Sequence, residues 1–303
     1  MTLETVERMR TADFVEYFEI DSAEAGTRYS IAVVLPVAYL MTRQPVPVIY
    51  APDANFLANR LMGVANSHMA SNDESIAPVT PCIQVMIGYV AEELPYMVAL
   101  RNRDLVVPGE AYPPRMDGYL SAHLGLDSGA YPSDILEVFR SHLENPRNDR
   151  FQAFIEKELH PQIKERYGVL DENAGLFGFS YGGLFSLCAF SRDSELFTNF
   201  GASSPGILVE GSRVHELYAE RVRNAPVAAR KQHVHISISD YELMGPTGLY
   251  RDMGIETLKF INAMRDHPVE GIGLSTEIVL NQDHATGPSY AYESFLRICY
   301  PAR

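Results

Sequence analysis

The run Gly178-Phe179-Ser180-Tyr181-Gly182-Gly183 sets a serine in surroundings suited to nucleophilic attack. It reads G-x-S-x-G, entered from an apolar strand-like run at 174–179 and left into a helix-like run at 181–190. The chemistry needs that setting. Such a turn is tight, so its flanking positions must be glycine, and the serine is lifted above the sheet edge. The helix that starts there aims backbone N–H groups and its positive end at the reacting carbon.

A serine hydroxyl attacks poorly until a base removes its proton. Of the nine histidines, His284 stands where that base is needed, because the short polar loop Asn281-Gln282-Asp283 joins it to the last strand-like run, 275–280. His68, His123, His142, His160, His215 and His267 lie in helices or loops without partners and read as solvated. His233 and His235 alternate along a strand and share a face, but two ligands make no zinc site, so no metal is expected.

The acid that orients the imidazole should follow the penultimate strand, where Ser239-Asp240-Tyr241-Glu242 offers two carboxylates. Two residues apart on a continuing strand, Asp240 and Glu242 point the same way, and either could do the work. The oxyanion needs two preorganised backbone donors. Tyr181 supplies one, and the loop Pro52-Asp53-Ala54-Asn55 supplies the other through Ala54 or Asn55. Asp53 is equally well explained as a helix N-cap.

These residues must be held by a sheet. Two strand-like segments, 13–20 and 28–35, are separated by Ser-Ala-Glu-Ala-Gly and read as a hairpin. Strands are expected at 46–51, 83–90, 174–179, 199–203, 234–239 and 275–280, and helices at 55–67, 181–190, 255–264 and 290–298. Asp149 can cap a further helix whose Phe151, Phe154, Ile155, Leu159 and Ile163 form one apolar stripe. Strands alternating with helices imply a mostly parallel α/β sheet of about eight strands, covered on both faces, in a single domain over residues 1–303. From Arg101 to Arg150 the periodicity weakens under Pro108, Pro113, Pro114, Pro132 and Pro146. Residues 105–150 therefore read as an irregular lid-like insertion, with Tyr112, Tyr119 and Tyr131 turned toward a substrate. The same insertion could instead join identical subunits in a homo-oligomer.

Composition narrows the partners. A net charge of -14 argues against nucleic acid, which demands a basic face. Cys82, Cys188 and Cys299 lack the spacing of a disulfide framework or a zinc ribbon. The first eleven residues carry Glu4, Glu7, Arg8 and Arg10 with no apolar core, and no run is long enough to span a bilayer, so a cytoplasmic protein without membrane contact is expected.

Longer stretches carry a resemblance. Tyr50-Ala51-Pro52-Asp53-Ala54-Asn55 resembles the Y-x-x-D-[GA]-N stretch of the esterase-D-like branch of α/β-hydrolases, which includes S-formylglutathione hydrolases, feruloyl esterases and siderophore esterases. Arg101 to Leu105 looks like the R-x-R-D-L motif of the siderophore-esterase-like group, and 151–167 like its F-x-x-F-I-x-x-E-L-x-P-x-I-x-x-x-Y helix. Ser203-Ser204-Pro205 is similar to its S-P segment and Asp283-His284 to its D-H pair. The resemblance implies an α/β-hydrolase fold and a cofactor-free serine esterase acting on a small-molecule ester or lactone, with acyl transfer as the alternative use of the same residues. It also implies Ser180 as nucleophile, His284 as base, Glu242 rather than Asp240 as acid, and Asp53 and Arg103 beside the substrate. A binding protein that has lost catalysis is disfavoured by the presence of both Ser180 and His284. Departures fall around the pocket: Phe179 replaces the histidine usual before the nucleophile, Val106 follows the arginine motif where threonine is usual, and the chain has no tryptophan.

Overall fold

The computed structural model of the protein describes residues 14–69, 79–120 and 129–302. The charged leading segment and residues 121–128 of the insertion, His123 among them, lie outside these. Among the described residues eight strands form one sheet: β1 Val15–Ser22, β2 Thr27–Val34, β3 Pro47–Ala51, β4 Ile83–Tyr89, β5 Leu170–Phe179, β6 Asn199–Ser203, β7 Val227–Ser239 and β8 Glu270–Val279. Their order is β1-β2-β4-β3-β5-β6-β7-β8. The β1–β2 and β2–β4 pairs are antiparallel and the rest parallel. This is the α/β-hydrolase fold that the sequence led us to expect.

The helices are α1 Val37–Thr42, α2 Ala54–His68, α3 Met97–Leu105, α4 Met116–Tyr119, α5 Ile135–Glu144, α6 Asn148–Ala153, α7 His160–Tyr167, α8 Tyr181–Ser191, α9 Arg213–Asn224, α10 Asp240–Met244, α11 Gly248–Asp266 and α12 Gly287–Cys299. A π-helical stretch, Phe154–Leu159, joins α6 to α7. The described part of the segment whose periodicity weakened thus holds the end of α3, all of α4 and α5, and the start of α6. In α5, Ile135, Phe139 and Leu143 recur every fourth residue and are all buried, a stripe that the flanking prolines obscure.

Successive residues of a buried strand face opposite sides, so each parallel strand feeds two cores. Tyr50, Leu176 and Phe200 pack on one face with Phe185 of α8, while Ile49 and Phe177 pack on the other with Tyr292 and Phe295 of α12. Each of these large side chains contributes roughly 2 kcal/mol by leaving water. Every residue of α8 is buried, which locks the helix leading away from Ser180 into the centre of the molecule.

Candidate active site

The turn at Ser180 is dictated by sterics. A Cβ on Gly178 would lie 2.0 Å from the carbonyl oxygen of Gly182, and one on Gly206 would lie 2.7 Å from the Tyr181 ring. Ser180 itself sits at φ 58° and ψ -125°, a conformation non-glycine residues rarely hold unless their surroundings impose it. Backbone bonds impose it here. The Ser180 N–H donates to the Ser203 carbonyl at 3.0 Å, and the Ser180 carbonyl accepts from the N–H groups of Gly206 at 2.8 Å and Leu184 at 3.0 Å.

His284 arrives on the loop between β8 and α12. Its Nδ1 lies 2.6 Å from Oε1 of Glu242, whose side chain is 1% exposed. The other carboxylate oxygen of Glu242 accepts the Ser239 N–H at 2.8 Å and the Ser204 hydroxyl at 2.5 Å, so the buried charge is satisfied on all sides. The expectation that Asp240 and Glu242 share a face requires the strand to continue, and it does not. β7 stops at Ser239 and α10 begins at Asp240, which turns the two carboxylates about 200° apart around the helix axis. Glu242 becomes the third residue of that turn and caps its start. Asp240 instead accepts the backbone N–H groups of Asn281 at 3.0 Å and Gln282 at 3.3 Å, bracing the loop that carries the histidine. From α2, the Arg60 guanidinium donates to the Ala285 carbonyl and holds the same loop from the other end.

Across the site, α2 starts at Ala54 beside the start of α8: a Cβ on Gly182 would lie 3.3 Å from the Pro52 ring. The first N–H groups of both helices, those of Ala54, Asn55 and Tyr181 among them, have no acceptor within their own helix. The Asn55 side chain ties this corner to the end of β4, accepting the Tyr89 N–H at 2.8 Å and donating to its carbonyl at 3.2 Å. Asp53 occupies the N-cap position of α2 at φ 64° but makes no cap bond. It pairs with Arg101, whose Nε and Nη2 lie 2.7 and 2.9 Å from its two oxygens. Burial opposes the Arg101 charge, and the Asp53 carboxylate overrides it and raises the guanidinium above its ordinary value. Arg101 also lies over the rings of Phe56 and Tyr181.

Here the structure corrects the sequence reading. Arg103 does not reach the cavity: it is buried and spends its Nε and Nη2 on the adjacent Asp104, and Arg101, two positions earlier and so on the opposite side of α3, lines the cavity instead. Tyr112 is also outside the cavity, exposed and bonded to Asp117.

Asp53, Arg101, Ser180, Tyr181 and His284 all line a cavity of about 340 Å³. Its remaining walls are largely apolar and aromatic, with Met116, Tyr119 and Tyr131 from the insertion and Tyr250 and Met253 from α11. Tyr250 went unrecognised in the sequence. It stacks on the His284 ring with centroids 4.4 Å apart, yet it precedes the stretch whose periodicity marked a helix, and nothing local distinguishes it. His233 and His235 lie elsewhere, both within 2.8 Å of the Ser275 hydroxyl, and burial lowers the pKa of His235 to about 4.

The comparisons point to the same fold. The profile of the Putative esterase family matches residues 129–237. The ferri-bacillibactin esterase BesA of Bacillus subtilis is 29% identical over 163 residues, 53% of this chain and 48% of BesA. The chain thus spans about half the length of that curated relative. Among solved structures, the BES protein from Bacillus cereus superposes with a TM-score of 0.74 at 20% identity, covering 99% of both chains. The siderophore hydrolase EstB from Aspergillus nidulans gives 0.72 at 21% identity, covering 97% of both. The siderophore-esterase-like group that the sequence motifs resemble is the group to which these similar proteins point. No helix among the described residues is long and apolar enough to cross a membrane.

Proposed function

We propose that the protein is a serine carboxylic-ester hydrolase that passes through an acyl-enzyme on Ser180. The observation that carries this reading is the 2.6 Å contact between Glu242 and the His284 imidazole, at a cavity whose wall also holds Ser180 at the strand-to-helix turn. With Nδ1 bound to the carboxylate, Nε2 is the nitrogen left to take a proton.

The reaction then follows. Ser180 Oγ attacks the ester carbonyl carbon while His284 Nε2 accepts its proton, and Glu242 stabilises the imidazolium. The oxyanion lodges against the N–H of Tyr181 and that of Ala54 or Asn55. Collapse breaks the ester bond, the leaving alkoxide takes the proton from His284, and an ester to Ser180 remains. Water repeats the sequence, releasing the carboxylic acid and returning the proton to Ser180.

For the substrate, we infer an ester or lactone of the siderophore kind. BesA and EstB are named for acting on such molecules, and the aromatic and apolar walls here suit a substrate of mixed aromatic and polar character. Residues 105–150 would cover the bound substrate, since Met116, Tyr119 and Tyr131 already form part of the wall. A cytoplasmic site of action fits the sequence best.

A panel of p-nitrophenyl esters of rising chain length, run beside siderophore trilactones with Ser180→Ala as control, tests the proposal. Turnover of a trilactone with mass-spectrometric capture of acylated Ser180 would support it. Equal turnover by the Ser180→Ala protein would refute it.

A further inference from the structure

One hydrogen bond does not fix an imidazole. His284 can pivot about its contact with Glu242, and each pivot carries Nε2 away from the nucleophile. A ring stacked on its face removes that freedom, because tilting sacrifices the contact. The Tyr250 ring does this: it lies on the imidazole with centroids 4.4 Å apart and planes 23° from parallel, while Phe179 leans against it at 4.8 Å. Tyr250 is held in turn. Its hydroxyl lies 2.7 Å from that of Tyr119 on α4, and the two rings meet edge to face at 5.7 Å. Burial, and then the bond to Tyr119, raise the Tyr250 phenol above its ordinary value, so it stays neutral beside the imidazolium that catalysis creates.

We propose that Tyr250 is a positioning residue for His284, and that Tyr119 links the 105–150 insertion to the base through the hydroxyl pair. The proposal rests on the esterase reading above. It assigns the insertion a second role: besides lining the cavity, it sets how well the base is aimed. A residue that only touched substrate would change KM. Positioning of the base acts on kcat.

The test compares Tyr250→Leu, Tyr250→Phe, Tyr119→Phe and the double phenylalanine variant on the best ester found. Tyr250→Leu should lower kcat by about tenfold or more with KM little changed, since small misplacements of a reacting group are costly. Tyr250→Phe keeps the ring and should recover most of that loss. The two phenylalanine variants break the same bond, so their effects on kcat should not multiply in the double variant. A substrate-free readout runs in parallel. The His284 ring-proton NMR signal, assigned by its loss in His284→Gln, should move and broaden in Tyr250→Leu and shift partway in Tyr119→Phe. A Tyr250→Leu protein with kcat within about twofold of wild type, or an unmoved His284 signal in these variants, would overturn the proposal. Should wild type cleave no ester and Ser180 resist a fluorophosphonate, the hydrolase reading fails, and the NMR comparison alone decides the positioning role.

Discussion

Asp53 and Arg101 form a two-point ion pair at the wall of the cavity, with the carboxylate 2% and the guanidinium 19% exposed. Each charge answers the other, so neither can be removed singly without leaving an uncompensated ion in a poorly hydrated place. Asp53→Asn isolates the charge, because asparagine tolerates the same positive φ. It should destabilise the fold by about 3 kcal/mol in urea unfolding. Replacing both partners by neutral residues should cost less than Asp53→Asn alone. Equal losses in the single and double variants would show that the pair is not coupled.

The two carboxylates after β7 should differ sharply in kinetics. Ser180→Ala should reduce kcat by about five orders of magnitude, and Glu242→Gln by about three, because the imidazole loses the partner that fixes its tautomer. Asp240→Asn only weakens the brace on residues 281 and 282, so its kcat should stay within about tenfold of wild type. Similar losses in Glu242→Gln and Asp240→Asn would contradict the division of labour described above.

Acid stability should depend on His235. Burial lowers its pKa to about 4, against an ordinary value of 6.5, so between those values the unfolded chain takes up a proton that the folded one refuses. Stability from this group is therefore full above pH 6.5 and drains away as pH falls toward 4. His235→Asn should lose less stability than wild type between pH 7.5 and 4.5, by about 2 kcal/mol. Parallel urea titrations at the two pH values make the comparison, and an identical loss in both proteins would remove His235 from the account.

The tyrosines of the insertion should separate as well. Tyr131 lines the cavity whereas Tyr112 faces solvent beside Asp117. Tyr131→Ala should lower kcat/KM on an aromatic ester by about tenfold, the scale of one buried aromatic contact, with Tyr112→Ala unchanged. The reverse order would mean that the insertion closes differently around substrate.

Much of this was legible in the chain because local chemistry coincides with global architecture at the turn. Gly178, Gly183 and Gly206 have no room for a side chain, and the strand leading to them is buried from Ala174 to Phe179, so strand pattern and glycine placement report the same element. The acid was ambiguous for a physical reason: whether Asp240 or Glu242 meets the histidine depends on where a strand yields to a helical turn, and both residues favour that boundary. Arg101 and Arg103 stand two apart on α3 and carry identical charge. Only packing decides that one pairs with Asp53 at the cavity and the other with Asp104 in the core. Tyr250 was invisible because its partners, His284 and Tyr119, are remote in sequence.

The delivery of Glu242 by a helical turn also bears on how this chain can diversify. One residue inserted between Ser239 and Glu242 would rotate the carboxylate by about 100°, away from the imidazole, so this stretch tolerates changes of type far better than changes of length. The described residues of the 105–150 segment lie outside the sheet, and such a constraint reaches them at Tyr119, through its hydroxyl contact with Tyr250. New substrate preferences would therefore arise by lengthening and shortening that segment away from Tyr119, while the spacing from Ser239 to Glu242 stays fixed.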